Sequence, residues 1–113
     1  MIIVSITRFE NTITGFFIKG HAGYKPPGED IVCAAVSMLA QTTLMGLNRY
    51  IAEDLKYSID EAGILKCSVP RDLKDIQRVQ AEAILETMVM GLKNLQKNYS
   101  KYIKVFRRRW TSC

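Results

Sequence analysis

Two stretches alternate apolar and polar residues with a period of two, fold back through a turn, and are each followed by a long run with the helical period. In the first, Ile2, Val4 and Ile6 share one face of a strand over Met1–Arg8. Glu10-Asn11-Thr12 makes a turn, and Ile13–Gly20 returns as a second strand, with Phe16 and Ile18 on the face opposite Phe17 and Lys19. In the second, Leu55, Tyr57 and Ile59 alternate within Asp54–Asp60, Glu61-Ala62-Gly63 turns, and Leu65, Cys67 and Val69 share a face within Ile64–Pro70. A hairpin that is apolar on one face is marginal alone, so each needs a partner layer.

The helical runs supply that layer. Asp30 is a good N-cap for a helix to about Glu53, with Ile31, Val32, Ala35, Val36 and Leu39 at helical spacing. Its first turns carry almost no charge, which predicts burial on most sides. Asp72 is the expected cap of a helix ending near Asn98, with Leu73, Ile76, Val79, Ala83, Met88, Leu92 and Leu95 as its stripe. Tyr102–Phe106 reads as a last strand. The expected class is α+β: a single mixed sheet of about five strands in ββαββαβ order with two long helices packed against it. With 113 residues there is room for one domain, expected over residues 1–110, with 111–113 as a flexible tail.

Composition narrows the function. Hydrophobic residues at 48% and charged residues at 24% exclude a disordered, collagen-like or disulfide-dense chain. Sixteen basic against eleven acidic residues give +5, which permits an anionic partner such as nucleic acid without requiring one. Cys33, Cys67 and Cys113 form no CxxC pair and there is a single histidine, so neither metal nor cofactor is expected. Met1–Arg8 lacks the basic start of a secretory signal, and no segment reads as the ~20 apolar residues of a membrane span. The expected location is a reducing cytoplasm, away from membranes.

Chemistry concentrates between the second strand and the first helix. His21 lies at a strand end and Cys33 in the first turn of a helix, 12 residues later. A helix N-terminus carries roughly +0.5 of a charge and free N–H donors. A thiol placed there ionises more readily, and the thiolate is the nucleophile. A nearby imidazole takes the thiol proton and returns it to a leaving amine, while first-turn amides are expected to hold an oxyanion. Together these describe a cysteine hydrolase. From spacing alone, a cysteine that only packs is the commoner reading, since free cysteine is among the most buried residue types. Asp30, Cys33 and Ser37 share one helix face. Asp30 is positioned to orient the imidazole as well as to cap. Ser37 either hydrogen-bonds into the site or bonds back to the helix carbonyl four residues earlier. Cys67 suits a core strand face and is expected to be inert.

The intervening segment contains Gly23, Tyr24, Pro26, Pro27 and Gly28. It reads either as a connector stiffened by its prolines or as a lid hinged at its glycines, with Tyr24 touching a peptide. At the other end, Lys101, Lys104, Arg107, Arg108 and Arg109 are either a solvated strand or contacts for RNA phosphates. Met38, Met45, Met88 and Met90 suit a core or an interface.

Gly20-His21-Ala22 followed by Gly28-x-Asp30-Ile31-Val32-Cys33-Ala34-Ala35-Val36-Ser37 resembles the signature of the ribosomal-processing cysteine proteases (Prp) of Firmicutes and related bacteria. The pattern of hairpins and helices agrees over nearly the whole chain. The resemblance implies an endopeptidase that removes a short N-terminal extension from large-subunit ribosomal protein twenty-seven. Cys33 would be the nucleophile and His21 the base, with Gly20, Asp30 and Ser37 at further signature positions. It also implies a homodimer, and a mobile loop between the catalytic residues that orders around substrate. Two other classes remain: a non-enzymatic ribosome-associated or RNA-binding module using the basic C-terminal strand, and a dimeric scaffold with a buried cysteine.

Overall fold

The computed structural model describes residues 1–26, 28–52 and 55–109. Pro27 of the loop, the expected helix end and strand start at Glu53 and Asp54, Trp110, and the expected tail with Cys113 lie outside the described residues. The elements are β1 (Ile2–Phe9), β2 (Thr12–Lys19), α1 (Ile31–Ile51), β3 (Lys56–Ile59), β4 (Leu65–Ser68), α2 (Asp75–Asn98) and β5 (Ile103–Arg109). This is the expected ββαββαβ order. One five-stranded sheet runs β3-β4-β2-β1-β5. It is mixed: β1 pairs parallel with β5, and the β1–β2, β2–β4 and β3–β4 pairs are antiparallel.

One sheet face is covered by both helices. Ile2, Val4, Ile6, Phe16, Ile18 and Cys67 point into it, as their alternation requires. Ile13 joins them because β2 carries a bulge opposite Thr7/Arg8, where the pairing passes from Thr7↔Gly15 to Arg8↔Ile13. The extra residue, Thr14, lets Ile13 and Phe16 face the same way although they are three apart. Val4, Leu47, Leu85, Leu92 and Ile103 are fully buried, and each such side chain contributes about 1.5–3 kcal/mol.

Four expectations about the helices are corrected. α1 buries one stripe, Val32, Val36, Ala40, Leu44, Leu47 and Ile51, while Ile31, Met38 and Met45 are exposed; it is not buried on most sides. By length and composition α1 does match a membrane span; its inward stripe packs on the sheet. The core stripe of α2 is Ala81, Leu85, Met88, Val89 and Leu92. Ile76 and Val79, expected in that stripe, are exposed, because the 76–79–83 row points away from the 81–85–88–92 row. Asp72 does not cap α2. The helix starts later, with Lys74 at the cap position and no side-chain cap bond. The helices approach closely at two glycines: a Cβ would lie 3.0 Å from Leu39 at Gly91 and 3.4 Å from Ile84 at Gly46.

Candidate active site

β2 leaves the sheet at Lys19, and the next residue has to turn the chain beside the start of β1. Gly20 does so at φ +94°, where a side chain would be strained and would collide with the carbonyl oxygen of Met1. The signature glycine therefore has a backbone reason. Beyond it, His21 is exposed and Ala22 is buried. The backbone N–H of Ala22 donates to Cys33 Sγ at 3.2 Å. This contact ties the strand-end segment to the helix start.

Asp30 organises the other side. Its Oδ1 accepts from the amides of Val32 and Cys33, each at 3.0 Å, as an N-cap does. Its Oδ2 accepts from the amides of Tyr24 at 3.0 Å and Lys25 at 3.5 Å. One carboxylate thus caps α1 and clamps the loop. The Cys33 amide first, then the Tyr24 and Lys25 amides and the Cys33 side chain, hold the Asp30 carboxyl below its ordinary range.

This arrangement corrects the expectation of free first-turn donors. The amides of Val32 and Cys33 are engaged by Asp30 Oδ1, and that of Ala34 donates to the Asp30 carbonyl at 3.1 Å. The amide that points at the sulfur comes instead from Ala22, on the strand-end segment.

Cys33 is a half-buried free thiol at the junction of two cavities. The first, about 560 Å³, is lined by His21, Gly23, Lys25, Gly28, Asp30, Cys33, Ala34 and Ser37. The second, about 270 Å³, is lined by Gly20, His21, Cys33, Ser37 and Gln41 together with the apolar Ile2, Ile18, Val36, Ala40, Ile59 and Leu65. His21, Cys33 and Ser37 belong to both. Cys67 lies in the core, where burial pushes its thiol up to about 12, so it stays protonated.

The remaining site residues divide. The Ser37 hydroxyl accepts from Gln41 Nε2 at 2.6 Å. Tyr24 packs edge-on against Tyr99 and Tyr102, with centroids 5.6 and 5.1 Å away, so its ring anchors one end of the loop. The Pro26 carbonyl accepts from the Glu29 amide at 3.0 Å, closing a turn. Sequence reasoning missed the Ala22 amide, Gln41, Lys25, and the apolar wall from β3 and β4. Gln41 was recoverable, one helical turn beyond Ser37; a backbone donor has no residue signature.

The chain is similar to known proteins over nearly its whole length. The family model "Cysteine protease Prp" matches residues 1–104. A Staphylococcus aureus protein named ribosomal processing cysteine protease Prp is 29% identical over 108 residues, covering 93% of this chain and 97% of that protein. Its Bacillus subtilis namesake is 27% identical over 109 residues, covering 93% and 96%. The crystal structure of the Staphylococcus aureus protease with a covalently linked product peptide superposes with a TM-score of 0.84 at 26% identity, over 96% of this chain and 100% of that one. The chain belongs to the Prp family of cysteine proteases.

Proposed function

We propose that this protease cleaves by acyl transfer with Cys33 as nucleophile and His21 as base, and that its substrate is the extended N-terminal segment of large-subunit ribosomal protein twenty-seven. The observation that carries the reading is that His21 and Cys33 line the same two cavities, with the Ala22 amide donating to the sulfur. The relatives' shared description as ribosomal processing proteases supports a ribosomal protein as substrate.

His21 takes the thiol proton, and the sulfur attacks the scissile carbonyl carbon while an electron pair moves onto the oxygen. The Ala22 N–H, 3.2 Å from the sulfur, is placed to follow that charge from sulfur to oxygen. His21 gives its proton to the leaving amine as the C–N bond breaks, leaving a thioester on Cys33. Water, deprotonated by His21, then releases the acyl group and restores the thiol. Asp30 and Gly20 position the two reacting groups through the backbone. Gly23, Lys25 and Gly28 flank the peptide, and the loop opens and closes about the Tyr24 anchor. The smaller cavity, with Ile18, Val36, Ile59 and Leu65, suits an apolar substrate side chain.

The working form is a homodimer joined through the outer side of the helices. Met38, Met45, Ile76, Val79 and Met90 are each more than 60% exposed there, around a groove of about 450 Å³ between α1 and α2. An apolar surface of this kind marks an interface. A reducing cytoplasm suits a free catalytic thiol.

The test is incubation with a peptide copying the extended N-terminus, followed by mass spectrometry. Cleavage at one bond by the wild type and none by Cys33→Ala is expected. Cleavage of a scrambled peptide at the same rate would remove the substrate assignment.

A further inference from the structure

The sheet face turned away from the helices carries a pattern the protease reading does not use. Following the register, one row runs across all five strands as Ser58, Lys66, Phe17, Ser5 and Phe106. The flanking rows hold Lys19, Ile3 and Lys104 on one side, and Lys56, Ser68, Thr7 and Arg108 on the other. Phe106 is 51% exposed. The ammonium groups of Lys66 and Lys19 lie 5.6 and 5.9 Å from the Phe17 ring centroid. None of the five strands contains an acidic residue.

The charge arithmetic is one-sided. The chain has 16 basic and 11 acidic residues. Without Lys19, Lys56, Lys66, Lys104 and Arg108 the remainder balances at 11 of each, so the whole net charge of +5 is carried by this one face. A second copy docking here would bring like charges together, which opposes self-pairing. A polyanion is complementary.

We propose that this open sheet face binds single-stranded RNA. Phe17 and Phe106 flank Ser5 from two different strands, roughly 10 Å apart at the usual strand spacing, and serve as platforms on which bases stack. The lysines and Arg108 contact the phosphates. The hydroxyls of Ser5, Thr7, Ser58 and Ser68 are spaced among them, and hydroxyls of this kind recognise the ribose 2′-OH that distinguishes RNA from DNA. An acidic protein would be met by the charges but leaves the two rings without a role.

The test uses the full-length protein and a fluorescently labelled 20-nucleotide oligouridine, read by anisotropy. Binding is expected at 50 mM salt, weakening with a log–log slope of about −2 to −3.5 for three to five phosphate contacts. Lys66→Glu with Lys104→Glu should weaken it at least ten-fold, and Phe106→Ala at least five-fold. Lys93→Glu with Lys97→Glu on α2, an equal change of net charge, should alter it less than two-fold. Peptide cleavage by all three variants confirms that they are folded; should a sheet variant fail, Lys66→Gln with Lys104→Gln replaces it, with the same direction expected. Four results would each overturn the proposal: no binding at 50 mM salt, an equal loss in the α2 variant, equal affinity for oligodeoxyuridine, or equally strong competition by polyglutamate or anionic lipid vesicles.

Discussion

The amide of Ala22 donates to the sulfur of Cys33 across 3.2 Å, joining the segment that carries His21 to the first turn of α1. The contact depends on where the backbone runs, which Gly20 sets on one side and Asp30 on the other. Changes at those two residues are therefore expected to act on catalysis while both proposed reacting residues stay in place.

Asp30→Asn separates the two tasks of that carboxylate. With its carbonyl oxygen on the helix side, asparagine still caps α1, but its amide cannot accept from Tyr24 or Lys25. The melting temperature should fall slightly and kcat/KM by at least ten-fold, whereas Asp30→Ala should lower both strongly. Steady-state peptide cleavage with parallel thermal melts reads this directly. Wild-type kcat/KM in Asp30→Asn would show that the loop clamp does not matter.

Gly20→Ala forces a side chain onto a backbone at φ +94° and against the Met1 carbonyl. The left-handed conformation alone costs about 1–2 kcal/mol, and the collision adds to it. A fall in urea midpoint together with lost cleavage is expected. A variant of wild-type stability would mean that the turn relaxes freely.

Much of this was legible in the sequence. Period-two alternation located both hairpins, and Asp30 at the head of an apolar run located α1 and its cap. The exposed row of α2 was misassigned because Ile76 and Val79 continue a helical period that is apolar but belongs to a different face. The bulge at Thr14 was invisible because it is a property of pairing, not of one strand. At the site, the spacing of His21 and Cys33 was readable. The occupied first-turn amides and the inward-pointing Ala22 amide were not, because they follow from how the loop returns to Asp30.

The acid limb of stability should separate three carboxylates. Asp30 is lowered by its amide partners and Glu86 by Arg8, 2.7 Å away. Their contributions are present above the ordinary carboxylate range, about 4, and are lost as pH falls through their lowered values. Glu82, raised chiefly by burial, has the opposite sign: its contribution is present at low pH and is lost as pH rises through its raised value. Glu82→Gln keeps an acceptor for the Ile13 amide and should gain less than about 1 kcal/mol at pH 7. That gain should vanish near pH 4. A difference from wild type that stays constant across a pH series of thermal melts would contradict this.

Tyr24→Ala removes the ring packed on Tyr99 and Tyr102 and frees one end of the loop. Two edge-on aromatic contacts are worth about 0.5–1.5 kcal/mol each. KM for the peptide is expected to rise several-fold while kcat changes less, because the ring lies outside both cavities beside Cys33. A loss confined to kcat would instead tie the ring to the chemical step.

The most direct measurement is the intact mass of the protein, quenched in acid during turnover of the ribosomal-protein peptide. A thioester-linked fragment of the peptide on Cys33 is predicted in the wild type, accumulating much more slowly in His21→Ala and absent from Cys33→Ala. Turnover of the peptide by Cys33→Ala, or an adduct mapped to Cys67 or Cys113, would contradict the account.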